Sequence, residues 1–117
     1  MKQKTKNINS SKKFIFLDRD GVINEDNGYV YLPKDFKFKK GVMQFLIHAQ
    51  KLGFEFIIIT NQSGIGRGLY SEEDFNILTD WMNKKLITNG VSILDTFYCP
   101  YHPEFGLGSY KIKSYDR

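Results

Sequence analysis

The sequence has a single cysteine, Cys99, which excludes an intramolecular disulfide and makes a reducing cytoplasm the expected setting. No apolar run approaches the length of a membrane span. The first 13 residues, MKQKTKNINSSKK, lack the continuous apolar segment of a secretory signal. They hold five lysines and no acid, which accounts for much of the formal net charge of +4. No aromatic or arginine pattern accompanies those lysines. Residues 1–13 therefore read as a solvated basic tail and not as a nucleic-acid arm. There are no internal repeats, and nothing in the 117 residues marks a second domain.

What is present fits one α/β domain over residues 14–117. The chain is 41% hydrophobic and 26% charged, a globular balance, and its ten Phe and seven Tyr supply large packing units. Lys13 to Leu17 reads as a short strand buried on both faces. Residues 24–39, with weak alternation, read as a loop or small β-flap over its end. Val42, Phe45, Leu46, Ala49 and Leu52 recur at helical spacing, with Gly53 as a stop. Phe54 to Ile59 reads as a second buried strand. Ser71 and Asp74 form a capping box before a stripe of Phe75, Leu78, Trp81, Met82 and Leu86. On that stripe Trp81 reads as core and not as a stacking platform, and His48 on the earlier helix reads as a surface or packed residue, not a ligand. Asn89–Gly90 ends the second helix, a third strand lies within Val91 to Tyr98, and the last 19 residues form a polar, tyrosine-rich loop. Strands alternating with helices imply right-handed crossovers and a parallel sheet.

Ligands of such sheets bind at the carboxyl ends of the strands, where this chain places its unusual polar residues. The first strand runs into Asp18–Arg19–Asp20–Gly21, the second into Thr60–Asn61–Gln62–Ser63–Gly64, and the third into Cys99–Pro100–Tyr101–His102–Pro103. Paired carboxylates make a hard oxygen cluster suited to Mg²⁺. One of them can attack phosphorus while the other protonates the leaving oxygen and later activates water. An isolated D-x-D is more often a pair of solvated turn acids; an apolar strand before it and a glycine after it change that balance. Thr60 and Asn61 can hold a phosphoryl oxygen without adding charge. Gly64, Gly66 and Gly68 let the backbone approach a ligand, and Arg67 among them can fork onto a distal phosphate. On its own, this glycine spacing would be no more than a flexible loop, and it does not fit a dinucleotide fingerprint.

Phe16 to Asn24 and Ile59 to Gly68 resemble the first two motifs of the haloacid dehalogenase-like phosphohydrolases. Asp-Arg-Asp-Gly, Gly28-Tyr29-Val30, Thr-Asn-Gln-Ser-Gly and Cys-Pro-x-His-Pro, in that order, are similar to the D,D-heptose 1,7-bisphosphate phosphatase group, with histidinol-phosphate phosphatases as near relatives. The resemblance implies a Rossmann-like three-layer sandwich around a parallel sheet. It implies a Mg²⁺-dependent phosphatase acting on a phosphorylated sugar, with Asp18 as nucleophile, Asp20 as general acid/base, and Thr60 stabilising the phosphoryl group. Mg²⁺ would be held by Asp18 and the backbone carbonyl of Asp20. Asp26, Asn27, Gly28 and Tyr29 from the flap, Asn61, Gln62 and Ser63 from the second loop, and Arg67 and Arg117 would contact substrate.

Two departures qualify those expectations. Many members carry a structural zinc loop, but here only Cys99 remains, with Tyr101, Ser114 and Asp116 at the other ligand positions, so no zinc is expected. The family also needs a later lysine, later metal-binding acids and further strands, none of which occurs before Arg117. The expected consequences are weak Mg²⁺ and phosphate binding by these 117 residues, slow or absent turnover, and an exposed sheet edge open to self-association. A truncated, inactive binding module of the same fold is the alternative from a different functional class. No membrane or nucleic-acid partner is expected.

Overall fold

The first strand, β1 (Lys13–Leu17), pairs in parallel with β2 (Phe54–Asn61), which pairs in parallel with β3 (Ile93–Cys99). This is a computed structural model, and it describes residues 12–102 and 106–110. Most of the basic tail, Pro103, Ser114, Asp116 and Arg117 lie outside the described residues. Strand order follows chain order, β1-β2-β3, as sequential crossovers dictate. The crossovers are α1 (Val42–Lys51) and, after a short α2 (Ser63–Gly66), the longer α3 (Glu72–Thr88). The parallel sheet and helices of the sequence reading are thus present.

The two sheet faces differ sharply. In the β1–β2 register Ile15 lies beside Phe56 and Leu17 beside Ile58. These side chains share one core with Val42, Leu46 and Ala49 of α1 and Leu78, Met82 and Leu86 of α3. Both helices therefore cover the same face. Phe14, Phe16, Ile59 and Phe97 point to the other face and are 44%, 63%, 48% and 54% exposed. The expectation that β1 is buried on both faces is corrected: an apolar run does bury both sides in a fully layered sheet, but among the described residues nothing packs on this side. Among the described residues the sandwich has two layers.

The flap is built around its own polar core. The Arg19 carbonyl accepts from the backbone N–H groups of Val22, Ile23 and Asn24, and Gly21, at φ 87°, closes that turn. Asn24, fully buried, bridges to Asp20 on one side and to Phe38 on the other. Phe36, Phe38 and Trp81 then stack edge-on and face-on, which docks the flap onto α3. The capping box of α3 is present as expected, with Ser71 N–H donating to Asp74 Oδ2 and Asp74 N–H donating to Ser71 Oγ, both at 3.0 Å.

Candidate active site

Because β2 extends three residues beyond Ile58, the partner of Leu17, Thr60 and Asn61 stand alongside the chain that leaves β1 as Asp18–Arg19–Asp20. The flap returns over the same edge. A cavity of about 250 Å³ forms there, lined by Asp18, Asp20, Asp26, Gly28, Tyr29, Val30, Asn61, Gln62, Ser63 and Tyr70. A larger hollow of about 620 Å³ opens around Ile59, Thr96, Phe97, Tyr98 and Cys99, but no ionised side chain lines it among the described residues, so size alone does not locate the chemistry.

The two aspartates differ in environment. Asp18 is exposed, and its Oδ1 accepts the N–H of Arg19 at 2.7 Å. Asp20 is half-buried and tied on both oxygens. Its Oδ1 accepts from the Arg19 guanidinium and from Asn24 Nδ2 at 3.0 Å, while its Oδ2 accepts from Gln62 Nε2 at 3.0 Å. The exposed carboxylate is thus free to meet a ligand, and the tethered one is oriented.

Gln62 organises the second loop. Its Nε2 also donates to Thr60 Oγ1 at 3.0 Å, and its Oε1 accepts from the Tyr70 hydroxyl. Burial pushes the Tyr70 phenol up to about 12, with the nearby Asp20 charge adding to the rise and the Arg19 charge opposing it. Tyr70 thus stays a hydrogen-bond donor at neutral pH. Gly64 allows this closeness, since a Cβ there would lie 2.4 Å from Tyr70 Cε1 and 2.7 Å from Tyr29 Cδ1.

Of the residues singled out in the sequence, Asp18, Asp20, Asp26, Gly28, Tyr29, Asn61, Gln62 and Ser63 meet at the cavity. Thr60 lies one layer deeper, buried, with its hydroxyl oxygen accepting from the Gln62 amide, a bond that leaves its O–H available to donate. Asn27 is exposed but does not line the cavity. Arg67 stands at the rim, donating to the Tyr29 hydroxyl, with its guanidinium 5.7 Å from the ring centroid. Arg117 lies outside the described residues. Arg19, Asn24 and Tyr70 were given no role from sequence. An arginine set between two acids was the available signal for the first; the contacts of the other two depend on turns that sequence spacing does not define.

Beside the site, the tyrosine-rich loop is held by hydrogen bonds. Glu72, at the first turn of α3, accepts from both Tyr98 and Tyr110 hydroxyls. Those bonds hold the Glu72 carboxyl below its usual 4.5. Its own bond to Glu72 raises Tyr98 to about 12, and the other bond raises Tyr110. Leu107 N–H donates to Gly66 O at 2.6 Å, and His102 N–H donates to Tyr110 O at 2.9 Å. Cys99 is buried at the end of β3, as expected of a small strand-end residue.

No group of three His, Cys, Asp or Glu side chains is placed to hold a metal among the described residues. Mg²⁺ does not require one, since it is commonly held by one or two carboxylates, waters and a substrate phosphate. An exposed Asp18 carboxylate beside the Asp20 main chain is an oxygen donor set of that kind. No helix is long and apolar enough to cross a membrane among the described residues.

The parallel sheet that carries the two aspartates at the carboxyl end of β1 and the Thr-Asn-Gln-Ser loop after β2 matches haloacid dehalogenase-like phosphatase structures, and the chain is similar to that class of protein. Its relatives give the nearer likeness. It is 50% identical over 100 residues to the D-glycero-alpha-D-manno-heptose-1,7-bisphosphate 7-phosphatase of Burkholderia mallei, a match covering 86% of this chain and 53% of that protein. It is 48% identical over 101 residues to the corresponding beta-heptose enzyme of Vibrio cholerae, covering 86% and 54%. Among solved structures, the D,D-heptose 1,7-bisphosphate phosphatase of B. bronchiseptica, complexed with magnesium and phosphate, matches with a TM-score of 0.74 at 33% identity over 81% of this chain and 54% of that one. A HAD-like phosphatase of Mesorhizobium loti matches with a TM-score of 0.81 at 30% identity, over 91% and 50%. The chain spans about half the length of the curated relatives it matches. No protein-family model matches the sequence.

Proposed function

We propose that this chain supplies the nucleophile, the acid/base and the substrate flap of a Mg²⁺-dependent phosphatase that removes a phosphate from D-glycero-D-manno-heptose 1,7-bisphosphate, in the synthesis of nucleotide-activated heptose for surface polysaccharide. The observation that carries the reading is the pairing of an exposed Asp18 with a tethered Asp20 on one small cavity. Asp18 attacks phosphorus and forms an aspartyl-phosphate. Asp20 gives a proton to the departing sugar oxygen and takes one from the water that then cleaves the acyl phosphate.

Asp18 and the Asp20 carbonyl would hold Mg²⁺, which when bound offsets the negative charge of the phosphoryl group. Thr60 and Asn61 steady phosphoryl oxygens, while Asp26, Gly28, Tyr29, Gln62 and Ser63 shape the sugar site. Arg67 at the rim would fork onto the phosphate that remains on the sugar, and Arg117 is a further proposed substrate contact. Relatives named for the alpha and for the beta anomer match about equally well, and the reading does not choose between the anomers.

The test is phosphate release from heptose 1,7-bisphosphate and from histidinol phosphate in parallel, with Mg²⁺ and with chelator. The reading expects Mg²⁺-dependent release with a higher kcat/KM for the heptose substrate. A preference for histidinol phosphate would move the assignment to that activity. Release unaffected by chelation would remove the metal from the account.

A further inference from the structure

The chemistry above leaves the largest fully buried side chain among the described residues without a task. Arg19 sits between the two aspartates in sequence, yet it turns inward and is 2% exposed. Its Nε and Nη2 donate to Asp20 Oδ1 at 3.1 and 2.8 Å, and Nη2 donates as well to the Val30 carbonyl at 2.8 Å. The guanidinium carbon lies 5.8 Å from the Phe36 ring centroid and 5.9 Å from that of Phe75. Nη1 is buried with no hydrogen-bond partner among the described residues.

Packing does not account for this group. A buried cation with an unmatched N–H is costly, and an apolar chain of similar volume between two rings commonly serves stability as well or better. What a guanidinium adds is a rigid fork that joins the neighbouring carboxylate to a carbonyl 11 positions from Arg19. The carbonyl belongs to Val30, the end of the flap segment whose Asp26, Gly28 and Tyr29 line the cavity.

We propose that Arg19 is a positioning residue that couples the flap to Asp20. Segment 26–30 and the Asp20 carboxylate move as one unit, so a ligand that settles against Gly28 and Tyr29 also sets Asp20 for proton transfer. The chemical use of the coupling rests on the phosphatase reading; the coupling itself is a property of the unliganded chain.

Amide hydrogen exchange over residues 26–31 of the 117-residue chain tests it, in the wild type, Arg19→Met, Asp20→Ala and the double variant. Each single change is expected to speed exchange about tenfold, and the double variant no more than the faster single, because both cut one linkage. Multiplying effects would overturn the proposal, since they would mean that Asp20 steadies the flap through Asn24 and Arg19 merely packs. So would unchanged flap protection in Asp20→Ala. Arg19→Lys keeps the charge but not the fork, and serves also if Arg19→Met does not fold. It is expected to exchange as fast as Arg19→Met, and wild-type protection in it would overturn the proposal. Where turnover is measured, Arg19→Met is expected to lower kcat about 10²-fold in the wild-type background and by less than about threefold once Asp20 is Ala. A wild type that binds no phosphate even with Mg²⁺ would sink the phosphatase reading and leave the exchange cycle fully readable.

Discussion

Gln62, just after β2, holds the Asp20 carboxylate of the loop after β1 through a 3.0 Å hydrogen bond between residues 42 positions apart. The same amide bonds Thr60 and Tyr70, so the side chain joins the two strand ends that make the site. Replacing it with Leu keeps the volume and strips three polar partners, Asp20, Thr60 and Tyr70, of their bonds. Gln62→Leu is expected to lose about 1–3 kcal/mol of stability in urea unfolding. It is also expected to lose about 10²-fold in kcat through misplacement of Asp20. Wild-type turnover in this variant would show that Gln62 only fills space.

Gly66 is a second junction. A Cβ there would lie 2.4 Å from the Pro100 carbonyl oxygen and 2.9 Å from Tyr110 Cβ, and a backbone oxygen cannot step aside as a flexible side chain can. Gly66→Ala is expected to cost about 1–3 kcal/mol and to free the loop around Tyr110. Retention of the wild-type urea midpoint would contradict this.

The tyrosines give the fold a pH signature. Tyr70 and Tyr98 are raised to about 12 and Tyr110 is raised as well, so the folded state keeps protons that the unfolded chain releases near 10. Their contribution is complete below about pH 10 and is lost as pH climbs toward about 12. Glu72 runs the opposite way: its carboxyl is lowered, so its contribution is present above 4.5 and disappears as pH falls through the folded value. Urea midpoints across this range are expected to fall at both ends, with Tyr98→Phe flattening both limbs. A Tyr98→Phe profile parallel to wild type would remove the Glu72 clasp from the account.

The bare sheet face carries its own consequence. Phe16 is 63% exposed on a strand whose outer edge is unpaired among the described residues, the condition under which strands recruit other chains. Phe16→Lys is expected to change stability by no more than about 0.5 kcal/mol while reducing self-association in sedimentation velocity. Equal association of both forms would place the contact elsewhere.

How much of this was readable in the sequence depended on what each residue touches. The strands, the α3 stripe and its capping box follow from local pattern, and the D-x-D site follows from where the first strand stops. Burial of β1 did not, because an apolar run is the same whether or not a layer covers it. The stripe of α1 was drawn too wide: Val42, Leu46 and Ala49 are buried, whereas Phe45 and Leu52 lie on its flank at 48% and 55% exposure. The short α2, Ser-Gly-Ile-Gly, has poor helix propensity and reads as loop. It forms where Gly64 and Gly66 let Tyr70 and Pro100 pack against its backbone. Arg19 was visible, but its inward turn depends on the tight bend at Gly21.

The central claim is that Asp18 carries the phosphoryl group. The direct measurement is acid-quenched peptide mapping after incubation with Mg²⁺ and heptose 1,7-bisphosphate. The account predicts an aspartyl-phosphate on Asp18 that accumulates in Asp20→Asn, where water activation is lost, and is absent from Asp18→Asn. Phosphate on no residue, or a label that survives Asp18→Asn, would contradict it.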